Sequence, residues 1–199
     1  DNVLLAFDEG DPTMVDAAMA VVDEECAEAT RLDDALVEQW FGHRNNVDAL
    51  EALISKGYVV DTMEIAAPWS RLDAIYEAAT AAISAVPGTL AASAHQSHSY
   101  VTGACLYFTF AAQVAPEERE AYYVAAWDAG TRAVLANGGA LSHHHAVGLN
   151  RARFMPEVLG SGLDVLASLK ATLDPNGICN PGKLGLPDPF GGQAWPDAG

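Results

Sequence analysis

Three of the six histidines stand side by side, His143-His144-His145, after the small-residue turn Gly138-Gly139 and before the turn Ala146-Val147-Gly148. Imidazoles exchange protons near neutral pH and ligate metals, so such a triple can relay a proton, orient a substrate hydroxyl or hold an ion. Successive side chains of an extended segment point to opposite faces. The triple therefore cannot enter one core as a whole, and at least one ring must face an opening. His143 and His145 are expected on one side and His144 on the other. The competing reading is a solvated polar loop. An expression tag is excluded by the small number of imidazoles and by flanks that read as native sequence.

A second candidate lies in Ser97-His98-Ser99-Tyr100-Val101-Thr102-Gly103-Ala104-Cys105-Leu106-Tyr107-Phe108. Free tyrosine titrates near ~10, so Tyr100 can serve as an acid or base only with a partner that relays its proton. The histidines are the available partners. The alternative is a strand-end aromatic with a solvated hydroxyl. Arg44 and Arg151 carry guanidinium forks suited to a phosphate or a carboxylate. Arg44 reads equally as a surface helix residue, and Arg151 as a balance to the acidic surface.

Both segments resemble the alkylglycerone-phosphate synthase family, flavin enzymes of ether-lipid synthesis within the vanillyl-alcohol-oxidase-like FAD oxidases. The first is similar to that family's Gly-Gly-x-Leu-Ser-His-His-His-x-Val-Gly loop. The second is similar to its Tyr before a Gly-Ala-Cys-x-Tyr-Phe strand. The stretch from Leu173 to Leu184 matches the Leu-Asp-Pro-x-Gly-Ile-x-Asn-Pro-Gly-Lys end of the superfamily. The resemblance implies FAD as cofactor and exchange of an acyl group for a fatty alcohol on a dihydroxyacetone-phosphate ester. It implies catalytic roles for Tyr100, His143, His144 and His145, with Tyr100 as acid/base at the prochiral carbon. Arg44, Arg151 and His98 would meet a phosphorylated or carboxylated small-molecule substrate, and His145, Asn180 and Lys183 the cofactor.

Dehydrogenase relatives that act on glycolate and D-lactate carry Gly-Glu-His-Gly-Ile-Gly at the loop, with His145 at their single His. Ala146 stands where both groups carry Gly, so the turn is expected to be less strained. Those relatives also place two metal-binding histidines on the hairpin, in His-x-Gly-Asp-Gly-Asn-x-His. His98 matches the first, but no His or carboxylate stands near Cys105 or Tyr107. A site from His98, His144 and His145 is conceivable, yet no metal is expected, and the synthase-like reading is favoured over a 2-hydroxyacid or alcohol dehydrogenase or oxidase. A third reading, from another class, is a non-catalytic binding module.

A chain of 199 residues, half of them hydrophobic, buries a core. Its net charge of −17 repels nucleic acid and anionic membranes. No apolar run reaches the ~18–20 residues of a membrane span. No leader is visible and the C-terminus is not a Ser-Lys-Leu address, which favours a soluble cytoplasmic protein. A homodimer is compatible with the sequence. The three cysteines, Cys26, Cys105 and Cys179, lack metal or disulfide spacing and are expected as small buried hydrophobes.

The elements that must position these groups are read from periodicity. Residues 3–7 read as a buried strand. Asp11 and Pro12 open a helix, and residues 32–53 form a second helical region broken near Gly42. Strands are expected over 59–65, 89–97 and 104–111, with a short one over 140–142. Between them lie a helix from Pro68 to Pro87 and another from Pro116 to Asn137. Ser161 caps a last helix that buries Leu163, Leu166, Leu169 and Leu173.

This order fits an α+β domain: an antiparallel sheet with helices packed on one face, like the ferredoxin-like cap domain of the FAD oxidases. The cap would cover 1–184, a Pro- and Gly-rich tail 185–199, and the FAD-binding half with its Gly-rich pyrophosphate loop would be missing from this chain. Tyr100 and the histidine loop are expected at the same end of the sheet, around one cavity, within the ~12 Å that a direct or single-water relay tolerates.

Overall fold

The central strand of the sheet alternates residue types along its length, and this alternation organises the fold. In β3 (Gly103–Ala112), Ala104, Leu106, Phe108, Phe110 and Ala112 are buried in one hydrophobic core. The intervening Cys105, Tyr107 and Thr109 must point to the opposite face. The computed structural model describes residues 2–44, 46, 48–192 and 195–196. In it β1 (Val59–Pro68) and β2 (Thr89–Ser97) flank β3, both antiparallel, in the order β1-β3-β2. Glu64 lies opposite Tyr107, Ala66 opposite Cys105, and His95 and Ser97 opposite Tyr107 and Cys105 from the other side.

Two helices cover the apolar face. The helix after β1, Trp69–Ser84, buries Leu72, Ile75, Ala79 and Ile83; the helix after β3, Arg119–Ala136, buries Tyr122, Ala126, Trp127, Thr131 and Val134. The second helix ends as the sequence predicts. Gly138 adopts φ +79° after Asn137, and the N–H of Gly139 bonds the Val134 carbonyl at 2.9 Å. A Cβ on Gly139 would lie 2.5 Å from a Val134 methyl carbon, so only glycine lets the chain leave here. Ala140 then pairs with Ala66 in a single antiparallel bridge on the free edge of β1. The expected strand over 140–142 is reduced to that bridge, because Ser142 and His143 turn from the β1 edge to a buried carboxylate described below. With it the path is β-α-β-β-α-β, the ferredoxin-like order.

The chain divides into two units, Asp1–Glu51 and Ala52–Gly199. The first holds α1 (Pro12–Glu25), capped by the Asp11 side chain, and α2 (Ala35–His43). Residues 3–7 are not a strand: no partner strand exists among the described residues to take their backbone groups, and Phe7 instead stacks on Trp40 and Phe41. The helical break follows His43, beside Gly42 as expected, and α3 runs Asp48–Ser55.

Three further expectations change. Pro68 closes β1 and pairs with Gly103, so Trp69 opens the next helix, α4. Ser161 makes no side-chain cap at the last helix, α7 (Gly162–Leu173), where Leu169 and Leu173 are 54% and 82% exposed. An apolar stripe states that a face is sticky, not what covers it. Among the cysteines only Cys105 is fully buried, Cys26 being half-buried and Cys179 exposed. No helix among the described residues is long and apolar enough to cross a membrane.

Candidate active site

The second face of the sheet is polar, and its centre is Glu64, which is 0% exposed. A carboxylate removed from water needs its lone pairs filled. Four donors do so. Ser142 Oγ lies at 2.6 Å, the His143 N–H at 2.5 Å, the His145 N–H at 2.9 Å and the Arg151 guanidinium at 2.8 Å. Burial opposes the charge, but Arg151, Ser142 and the two backbone N–H groups outweigh it and hold the carboxyl at about 2, below its ordinary 4.5.

Arg151 is equally enclosed. It also bonds the Ala146 carbonyl at 3.1 Å and lies 5.0 Å from the Trp127 ring centroid. Leu141 anchors the other side of the loop in a small core with Phe154 and Met155. The histidine loop is thus wrapped around one carboxylate. Ala146 takes φ +63° to allow it, so the turn is strained for a non-glycine residue, contrary to expectation.

This wrapping sets the rings. The loop is a run of bends, and the N–H groups of both His143 and His145 turn towards Glu64. The alternation expected of an extended segment therefore does not apply, and the three rings cluster. His143 Nδ1 is 2.9 Å from His144 Nδ1, and the His144 and His145 centroids are 4.5 Å apart. The Tyr100 ring lies 5.6 Å from His143, centroid to centroid, well inside the reach set above. His98 lies 4.7 Å from His144, and Tyr107 donates to or accepts from His145 Nε2 at 3.0 Å. Five of the six histidines stand at this face, and the sixth, His43, belongs to the first unit. Desolvation, with its neighbours His145, His98 and His143, keeps the His144 ring below its ordinary value, against the pull of Glu64.

Tyr100 is 53% exposed and held through its backbone: its N–H bonds the Gly103 carbonyl at 2.8 Å, and its carbonyl accepts the Trp69 indole N–H at 2.9 Å. Trp69 thus does more than pack. A Cβ on Gly103 would sit 2.1 Å from the Ala67 carbonyl oxygen, so the hairpin that carries Tyr100 closes on β1 only with glycine there. Two openings flank the loop. One of about 330 Å³ is bounded by Tyr100, His143, Pro68 and alanines; the other, about 250 Å³, by His145, Thr62, Asp61 and Arg151.

Residues 2–184 match the family model of FAD linked oxidases, C-terminal domain. The chain belongs to that family. Similar relatives include alkyldihydroxyacetonephosphate synthases of Dictyostelium discoideum, 44% identical over 92 residues, and of Trypanosoma brucei brucei, 38% identical over 105. These alignments cover 46% and 52% of this chain, but only 15% and 17% of the synthases. The uncharacterized FAD-linked oxidoreductase YgcU of Escherichia coli O157:H7 is 29% identical over 198 residues, covering 92% of this chain and 41% of its own.

Two solved structures of alkyldihydroxyacetonephosphate synthase resemble the fold. One has a TM-score of 0.51 at 28% identity over 74% of this chain and 24% of that one. The other has a TM-score of 0.50 at 22% identity over 85% and 28%, a likeness of fold alone. An antiparallel three-stranded sheet with helices on one face is the fold of this FAD-linked oxidase domain.

The remaining candidates of this FAD-linked oxidase domain have other partners. Arg151 is 3% exposed and engaged with Glu64, so it holds the loop and is not free for a substrate. Arg44 lies in the first unit, where it bonds the Phe41 carbonyl and sits 3.8 Å over the Phe41 ring centroid. Asn180 is exposed with φ +49°, and no hydrogen bond among the described residues joins it or Lys183 to the histidines. Their segment is tied locally: Asp174 accepts the N–H groups of Ile178 and Cys179 at 3.0 and 2.9 Å, and Lys170 bonds both Asp174 and the Cys179 carbonyl.

Glu64 and Tyr107 are the residues the sequence reading passed over. Each had a signal. Glu64 is a lone charge between Met63 and Ile65 in an apolar strand, and Tyr107 is in the polar phase of β3.

Proposed function

We propose that this chain is the substrate-facing half of an FAD-dependent enzyme most like alkylglycerone-phosphate synthase. The reaction is exchange of the acyl group of acyl-dihydroxyacetone phosphate for a fatty alcohol. The observation that carries the reading is the Tyr100 ring 5.6 Å from His143, on a loop held by Glu64. In this reading Tyr100 moves the proton at the prochiral carbon. His143 and His144 take that proton on, and His145 with Tyr107 orients the far side of the cluster. Glu64 and Arg151 act through the loop as positioning residues.

The polar face fits a flavin ring: it offers imidazoles and a phenol as hydrogen-bond donors, with His145, Asn180 and Lys183 as candidate contacts. The chain has no Gly-x-Gly-x-x-Gly loop for a pyrophosphate, so its share is the wall opposite the flavin. FAD would supply an electrophilic ring system. His98 is the candidate within this unit for the substrate's anionic end.

The test is Tyr100→Phe in the full-length flavoprotein. Exchange activity should fall by ~10²–10⁴-fold while flavin content stays that of the wild type. Retained turnover removes Tyr100 from the mechanism. A second reading, an FAD-dependent dehydrogenase of a 2-hydroxyacid or alcohol, draws support from the oxidoreductase aligned over 92% of this chain. Anaerobic bleaching of the flavin by D-lactate or glycolate, with acyl-dihydroxyacetone phosphate left untouched, would favour it.

A further inference from the structure

We infer that the Pro- and Gly-rich tail is a strap for the histidine loop, and that Trp195 and Tyr123 are positioning residues of the site. The effect on turnover rests on the synthase reading proposed above; the strap itself does not. The family match covers residues 2–184, and Trp195 lies beyond it.

The composition of the tail makes it a run of turns laid against the domain. Gly185 takes φ +73° and passes so close to Met155 that a Cβ on it would lie 3.0 Å from the Met155 Cβ. Met155 belongs to the small core that anchors Leu141. Asp188 then accepts the N–H groups of Phe190 and Gly192 at 2.8 and 3.1 Å. Trp195 is half-buried against the start of the Arg119–Ala136 helix. Its indole N–H donates to Glu120 at 2.7 Å, and its ring lies 5.8 Å from that of Tyr123, centroid to centroid.

Tyr123 has a second indole neighbour, Trp127, 6.2 Å away. Two aromatic contacts leave a tyrosine ring little rotamer freedom. The Trp127 N–H donates to Asp61 at 2.9 Å, and the Arg151 guanidinium stands 5.0 Å from the Trp127 ring. Arg151 in turn holds the loop through Glu64 and the Ala146 carbonyl. The contacts therefore run unbroken from Trp195 through Tyr123 and Trp127 to the anchor of the histidines. Tyr123 and Trp127 are also walls of the opening of about 250 Å³ beside His145. Without Trp195 the Tyr123 ring is free to swing there. Burial and the Asp61 carboxylate push the Tyr123 hydroxyl above its ordinary value, so it keeps its proton.

A row of contacts becomes a coupling only if the loop responds to its far end. Amide hydrogen exchange and steady-state kinetics of the full-length flavoprotein read that response. In Trp195→Ala the amides of residues 142–151 should exchange roughly 3- to 10-fold faster, while those of the Trp69–Ser84 helix keep the wild-type rate. The kcat of acyl-for-alcohol turnover should fall roughly 5- to 30-fold, with KM for acyl-dihydroxyacetone phosphate within about 2-fold. Trp195→Phe keeps an aromatic ring and should restore most of both. In a Tyr123→Ala background, Trp195→Ala should add less than about 2-fold, because the contact it removes is already gone. Glu120→Ala, at an exposed position, loosens the indole instead should Trp195→Ala unfold the protein.

Unchanged loop amides, or equal acceleration throughout the domain, overturn the strap. Independent effects at the two aromatic positions, or no rescue by Phe, overturn the route through Tyr123. A loosened loop with unchanged kcat overturns the role in turnover. A protein without acyl-for-alcohol turnover refutes the synthase reading, while the amide pattern still decides the strap.

Discussion

The two faces of one sheet are built on different principles. On the helix side, Phe108 and Phe110 are 0% and 1% exposed and meet α4 and the Arg119–Ala136 helix, α5, through many weak apolar contacts. On the other side, one carboxylate, Glu64, bonds Ser142, His143, His145 and Arg151 together. The first face distributes its stability over many side chains. The second concentrates it in one carboxylate and leaves the rings at its surface open. Under the function proposed above, that is what the site needs: rigid backbone beneath, accessible imidazoles and phenols above.

The contrast can be broken most strongly at its two centres. Phe108→Ala should cost ~3–5 kcal/mol by lost transfer energy and a cavity, whereas Tyr107→Phe next to it should cost under ~1.5 kcal/mol, the hydroxyl's bond to His145 and its long one from Thr62. Denaturant midpoints would measure both, and a similar cost for the two would abolish the distinction between faces. Glu64→Gln should behave like a core substitution despite its polar face. It leaves Arg151 buried without its counter-charge, a loss of ~3–5 kcal/mol. It should also slow exchange, because the loop loses the anchor that presents His143 to Tyr100.

Acid sharpens the same point. Glu64 titrates at about 2 in the fold against an ordinary 4.5. Its folded value is depressed, so the stability it contributes is fully present above the unfolded value and is lost as pH falls towards about 2. The amount is on the order of 3 kcal/mol. Unfolding midpoints followed from pH 5 to pH 2, roughly the window of that titration, should show this loss in the wild type and less of it in Glu64→Gln. Equal slopes would remove Glu64 as the cause.

The smallest effect belongs to the strained turn. Ala146→Gly at φ +63° should stabilise by about 0.5–1 kcal/mol, the left-handed penalty less the entropy of glycine. A neutral or destabilising result would mean that the Ala146 methyl packs usefully.

Local patterns suffice for much of this molecule. The alternation of β3, the apolar faces of α4 and α5, and the Asn137-Gly138 stop follow from neighbours within a few residues. β2 falls on residues 89–97 as its turn signals predict. The candidate site is legible as two motifs, the histidine triple and the Tyr100 hairpin, because each is a contiguous run.

What joins the two motifs is not local. The partners of Glu64 lie 78 to 87 residues away in sequence, and no periodicity links a lone strand carboxylate to a distant loop. The ring directions depart from the sequence expectation for the same reason. The two-residue alternation presumes an extended backbone, and the pull of a buried charge bent it. Residues 3–7 and the α7 stripe fail in the opposite way: hydrophobicity is written in the chain, but burial belongs to whatever packs against it. Sequence alone determined which side chains this protein has for chemistry. Only the tertiary structure, through the need to satisfy one desolvated carboxylate, decided that they meet.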